Sequence, residues 1–105
     1  MIVKNRIKKY SEFQKVIAKG QVKKTSFFVS YTIDNDLGYT RFGISVPKKI
    51  GNAVVRNRIK RQVRSAIGQS TKFDLSKDII VIVRNSYSTE DFSKILSEIQ
   101  EIIEK

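Results

Sequence analysis

Six residues, Asp78–Val83 (DIIVIV), constrain the fold more than any other stretch of the chain. Every position after the aspartate is β-branched and apolar, as expected of a strand covered on both faces. Three segments with helical periodicity are available to pack on a sheet that contains it. Ser11-Glu12-Phe13-Gln14 reads as a capping box opening a helix to about Lys19, with Phe13, Val16 and Ile17 on one side and Gly20 as a left-handed stop. Asn52 is a good N-cap for a second helix running to about Ile67, ended by Gly68. Ser88, with Asp91 three residues on, caps a third, whose stripe is Phe92, Ile95, Leu96, Ile99, Ile102 and Ile103.

Two further strands are expected. Phe27–Ile33 (FFVSYTI) is aromatic and β-branched, and Tyr39–Val46 (YTRFGISV) alternates Phe42, Ile44 and Val46 against Arg41, Gly43 and Ser45. The turn residues Asp34-Asn35-Asp36-Leu37-Gly38 join them into a hairpin, and Pro47 stops the ladder. Gln21–Ser26 fits either a short strand or a connector. The expected order is α, β-hairpin, α, β, α: an α+β fold of one domain, residues 1–105, with helices packed on a small sheet.

Charge then narrows the function. The chain carries 21 Lys+Arg against 10 Asp+Glu, a formal charge of +11, which suggests a polyanionic partner. The signs are segregated: from Leu37 to Phe73 there is no acid at all. With neither cysteine nor histidine, a disulfide, a Cys/His zinc site, a thiol nucleophile and a histidine base are excluded. No run approaches the roughly 18–20 apolar residues of a membrane span, and the N-terminus lacks the pattern of a signal peptide, so no membrane and a cytoplasmic location are expected.

The acid-free region contains KKIGNAVVRNRIKRQVR, Lys48–Arg64. Like charges four apart weaken a helix, so the charge calls for neutralisation from outside the chain. At about 100° per residue, Val55, Ile59, Val63, Ala66 and Ile67 collect on a core side. Arg56, Lys60 and Arg64 form one ridge, Asn57 and Arg61 continue that surface, and Arg58 and Gln62 fall towards the other flank. A merely solvated face would intersperse glutamate with the cations. Lys48, Lys49 and the helix N-terminus at Asn52 add to a surface suited to phosphate, and the arginines suit bidentate contacts.

Phe27, Val29, Tyr31 and Ile33 share one side of their strand; Phe28, Ser30 and Thr32 share the other. An aromatic on an open sheet face beside a basic helix is how unpaired bases are stacked. Core packing is the simpler role for Phe28 and Phe42, whereas Tyr31 suits a cleft. Asp34, Asp36, Asp74 and Asp78 are explained by turns and caps, and nothing prepares a nucleophile or a paired acid and base.

Gly43-Ile44-Ser45-Val46-Pro47-Lys48-Lys49-Ile50-Gly51-Asn52-Ala53-Val54, followed by Arg56-Asn57-Arg58-Ile59-Lys60-Arg61-Gln62-Val63-Arg64, resembles the signature of the bacterial ribonuclease P protein subunit family. Arg6-Ile7-Lys8-Lys9, Phe28-Val29-Ser30-Tyr31 and Asp78–Arg84 also fall where that family has them. The resemblance implies a two-layer sandwich similar to domain 2 of ribosomal protein S5, with a left-handed crossover around the basic helix. It implies one copy bound to a catalytic RNA, which holds the active site and its Mg2+ ions, with no organic cofactor and no catalytic residue in the protein. Together they hydrolyse precursor tRNA at the mature 5′ end. By position, Arg56, Asn57, Arg58, Lys60, Arg61 and Arg64 match the family's basic motif, and Lys48, Lys49 and Asn52 join them, from the charge reading above, as the expected RNA-binding loop and helix. Phe13, Ile17 and Tyr31 fall to a cleft for the single-stranded 5′ leader. Ile17 stands where some members carry a second aromatic. A structural RNA-binding protein of ribosomal type is the alternative, and would show no preference for a leader.

Overall fold

In the computed structural model, which describes residues 5–70 and 75–103, the apolar run becomes an interior strand. The elements are α1 (Tyr10–Lys19), β1 (Gln21–Lys24), β2 (Phe28–Asp34), β3 (Arg41–Ser45), α2 (Ala53–Ser70), β4 (Lys77–Val83) and α3 (Phe92–Ile103), with a 3-10 turn at Lys48–Ile50. The four strands lie in the order β1-β2-β4-β3. β4 is antiparallel to β2 and parallel to β3, so Ile80 has Tyr31 on one side and Gly43 on the other.

The expected hairpin between β2 and β3 does not form, because β4 inserts between them. Burying an isoleucine or valine side chain is worth about 1.5–3 kcal/mol, and only the interior position buries both faces of β4. The turn chemistry of residues 34–38 is nonetheless present: Asn35 Oδ1 accepts the Leu37 N–H at 3.0 Å, and Gly38 takes φ +81°. It serves a connection to the chain entering β4, with the Gly38 N–H donating to Ser76 Oγ at 2.8 Å. The local hairpin is instead β1–β2, which settles Gln21–Lys24 as a strand.

Alternation along β4 divides the core. Ile79, Val81 and Val83, with Phe28 and Phe42, pack against Ile59, Val63, Ala66 and Ile67 of α2 and Ile95, Ile99, Ile102 and Ile103 of α3. Ile80 faces the other way, towards Ile7, Val16, Phe13, Ile17, Tyr31, Ile33 and Ile82. Helices therefore cover both faces, α1 on one and α2 with α3 on the other. The fold is mixed α+β, with three layers where the resemblance implied two, as the two apolar faces of DIIVIV require.

The helix ends differ from expectation at four places. α1 begins at Tyr10 behind Lys9, whose side chain makes no capping bond; Ser11 already lies within the helix, so the capping box is absent. Gly20 is extended (φ −75°, ψ 158°), and glycine is needed there because a β-carbon would fall 2.5 Å from the Val16 carbonyl oxygen. α2 continues through Gly68 to Ser70. α3 is capped by Asp91, whose Oδ1 accepts the Lys94 N–H at 3.1 Å, rather than by Ser88. The Asn52 cap is as expected: Oδ1 accepts the Val55 N–H at 3.0 Å.

Candidate RNA interface

α2 is held by its apolar side, with Ile59, Val63, Ala66 and Ile67 buried. Val55, expected among them, is 37% exposed and leans on Gly51 of the turn. Like-charge spacing along Arg56, Lys60 and Arg64 costs roughly 0.2–0.5 kcal/mol per pair. Burial of the four core residues outweighs that several-fold, so the helix tolerates the ridge without internal compensation. Gln62 pins the opposite flank: its Nε2 donates to the Thr89 carbonyl at 2.9 Å, and its Oε1 accepts from the Tyr87 hydroxyl at 2.8 Å. Burial pushes the Tyr87 phenol well above its usual range, against an opposing effect of Arg58.

The rest of the helix surface carries the cations. Arg56, Lys60 and Arg64 are half-buried, while Lys48, Lys49, Asn57, Arg58 and Arg61 are exposed. Arg56 Nε donates to the Gly51 carbonyl at 3.1 Å, tying the ridge to the turn before it. The ion pairs among the described residues are made by Lys23, Arg41 and Lys77, and none involves a cation of α2 or of Lys48–Lys49. The oxygen of Asn52 is occupied by the cap, so this residue acts on the surface chiefly by orienting the helix N-terminus.

On the far side of the sheet, Phe13, Ile17 and Tyr31 come together, all half-buried around Ile80. Phe13 lies over Gly43, and Tyr31 stands between Val22 of β1 and Ile80 of β4. Phe27 departs from the expected stripe. It precedes β2, packs in the α2–α3 core at 4% exposure, and donates its N–H to the buried Glu98 carboxylate at 2.8 Å. Phe28 and Phe42 are core residues as expected. Among the described residues the molecule thus presents a cationic helix without an acid partner on one side and the half-buried cluster of Phe13, Ile17 and Tyr31 on the other.

The sequence profile of the Ribonuclease P family matches residues 1–105. The chain belongs to that family. The ribonuclease P protein component of Mesoplasma florum is 44% identical over 99 residues, covering 92% of this chain and 90% of the relative. That of Bacillus pumilus is 43% identical over 104 residues, covering 97% and 87%. Among solved structures, a mutant RNase P protein of Staphylococcus aureus superimposes with a TM-score of 0.79 at 39% identity, covering 94% of this chain and 87% of that one. The RNase P protein of Thermotoga maritima gives 0.73 at 26% identity, covering 92% and 90%.

This ribonuclease P family chain also contains a polar network at Arg41, which the sequence set only on the side of its strand opposite Phe42, Ile44 and Val46. Arg41 is paired with Asp78 across the parallel β3–β4 ladder, Nε to Oδ1 at 2.9 Å and Nη2 to Oδ2 at 2.7 Å. Its Nη1 donates to Glu12 of α1 at 3.0 Å. These hydrogen bonds, Asp78 foremost, hold the guanidinium above its already high ordinary pKa despite burial. The network fastens α1 over the sheet. A lone arginine in an alternating strand was the only local sign of it, because the partners lie 37 and 29 residues away. Asp34 pairs with Lys77 at 2.7 Å, and Asp74 lies outside the described residues. Among the described residues, no group of three or more acids is placed to hold a metal ion.

Proposed function

We propose that this chain is the protein partner of the ribonuclease P catalytic RNA, acting in tRNA processing within that ribonucleoprotein. It contacts the RNA through α2 and the Lys48–Lys49 turn, and it holds the 5′ leader of precursor tRNA between α1 and the sheet. The observation that carries this reading is the cationic ridge without an acid partner in the described fold. Arg56, Arg58, Arg61 and Arg64 offer planar forks to phosphate oxygens, and Lys60, Lys48 and Lys49 add point charges. Binding releases counterions and is steeply salt-dependent.

The chain's part in the reaction is to bind and orient. Charge on α2 lowers the repulsion between catalytic RNA and substrate, which are both polyanions. Phe13 and Tyr31 stack unpaired leader bases, so a precursor gains contacts that mature tRNA lacks. In this reading the Mg2+ ions that supply the hydrolytic chemistry belong to the RNA. One copy of the chain serves one RNA, in the cytoplasm. In this reading the β3–α2–β4 connection corresponds to the crossover expected of the S5-type fold, with β3 and β4 parallel neighbours in support.

The test is cleavage of a leader-bearing precursor tRNA at low Mg2+, with the catalytic RNA alone and with the chain added. Stimulated cleavage at the mature 5′ end is expected. Folded protein that binds the RNA without stimulating cleavage would return the chain to the static, ribosomal-type binder. For the cleft, Tyr31→Ala is expected to weaken precursor binding and spare mature tRNA; equal loss for both would remove leader recognition.

A further inference from the structure

The flank of α1 that borders the cleft carries a ring the proposed function does not use. At about 100° per residue, Tyr10, Phe13 and Ile17 fall within about 60° of one another. Tyr10 is 78% exposed. Within this stripe the aromatic faces are those of Phe13 and Tyr10, since Ile17 offers none.

Strand register shows what the stripe overlooks. On this face the sheet presents successive rows: Arg41–Asp78–Ile33, then Gly43–Ile80–Tyr31, then Ser45–Ile82–Val29. Glu12 reaches the first row through Arg41, and Phe13 covers the second at Gly43. The flank bearing Tyr10 and Ile17 therefore faces the third row, whose Ser45, Ile82 and Val29 are all half-buried. This is a groove whose floor is apolar at Ile82 and Val29, with Ser45 at its β3 end. α1 crosses it from β3 to β2: at its start the Ile7 N–H donates to the Phe42 carbonyl at 2.8 Å, and at its end Gly20 lies against Thr32. Tyr10 thus stands at the β3 end. Lys8 and Lys9 are exposed beside it, and β3 leaves this end of the groove through Pro47 into the exposed Lys48 and Lys49.

We propose that Tyr10 is a base-stacking residue for single-stranded RNA. It takes a leader nucleotide beyond those at Phe13 and Tyr31, while Lys8 and Lys9 meet the adjoining phosphates. The occupant follows from charge and continuity: cations flank the ring, no acid lies in the sequence between Arg6 and Tyr10, and the groove continues the cleft. The inference rests on the leader reading of that cleft, and it adds a recognition point near the basic turn.

The experiment measures affinity of the assembled protein–RNA enzyme for precursor tRNAs whose leaders are lengthened one nucleotide at a time. Tyr10→Ala is expected to bind long-leader precursors about tenfold more weakly than the parent. Short-leader precursors and mature tRNA should be unaffected, and Tyr10→Phe should bind like the parent. Tyr31→Ala is the reference, with loss expected from shorter leaders onward. If Tyr31→Ala shows a leader-dependent loss and Tyr10→Ala shows none at any length, the Tyr10 site is overturned and the cleft stands. If neither depends on the leader, both fall. Loss at Tyr10→Ala that is equal for mature tRNA, or that Tyr10→Phe shares, also overturns base stacking at this residue.

Discussion

The ring of Phe13 rests on the bare backbone of Gly43: a β-carbon there would lie 2.5 Å from Phe13 Cε2 and 2.7 Å from Ile80 Cδ1. Gly43 is half of a contact that lets α1 approach the sheet closely. The Gly43→Ala variant must lift the ring or push Ile80 aside, and overpacking of this kind costs about 1–3 kcal/mol. Urea unfolding should register that loss, and precursor tRNA affinity should fall while mature tRNA affinity holds. Lower stability with unchanged precursor binding would show that Phe13 does not touch the leader.

If the proposed RNA contact is right, the cations of α2 serve binding and contribute little to the fold. Replacing Arg56, Lys60 and Arg64 together by alanine should leave far-UV circular dichroism and the unfolding midpoint close to the parent, since the like-charge cost is relieved as the Arg56–Gly51 bond is lost. Affinity for the catalytic RNA should drop, and the slope of log affinity against log salt should become shallower by about 2 to 3. An unchanged slope would place the RNA elsewhere.

Arg41 and Asp78 should behave as a buried pair. Asp78→Ala leaves a guanidinium whose side chain is 15% exposed with Glu12 as its remaining carboxylate. The expected cost is about 3–5 kcal/mol, whereas replacing both Arg41 and Asp78 by apolar residues of similar size should cost less than that single change. A double-mutant cycle by chemical denaturation gives the coupling directly. A strictly additive cycle would mean that the pair is not coupled.

Alkaline pH should expose the buried phenol. Burial favours the protonated Tyr87 in the folded state, above its ordinary value of 10.0, and the unfolded chain has no such preference. The folded pKa is raised, so its contribution to stability is complete below about pH 10 and declines as the pH climbs through the unfolded phenol's value. In Tyr87→Phe this part of the alkaline decline should vanish, at a neutral-pH cost of about 1 kcal/mol for the lost hydrogen bond to Gln62. Denaturant midpoints of parent and variant across the alkaline range make the comparison. Parallel curves would contradict it.

Much of the candidate site was legible because its determinants are local. The phase of Arg56, Lys60 and Arg64 against Ile59, Val63 and Ile67 follows from 3.6 residues per turn, and the Asn52 cap from a side chain three residues before its donor. The amphipathic stripe of α3 and the two-sided burial of DIIVIV follow from the same kind of periodicity. The Ser11 box did not form, because backbone pairing of Ile7 with β3 sets where the chain turns into α1, and that pairing spans 35 residues.

What the sequence by itself determined is therefore every helix and strand except β1, the apolar faces of the helices and of β4, and the concentration of positive charge on α2. Only the tertiary structure decided which strands are neighbours, and with them the cleft. β4 displaced the local β2–β3 hairpin because an interior strand buries two apolar faces where an edge strand would leave a ladder side unpaired. That insertion sets Tyr31, Ile80 and Gly43 in one row beneath Phe13 and brings Asp78 to Arg41. Pairing of this kind depends on the total burial of the assembled sheet, a quantity that no short window of residues contains.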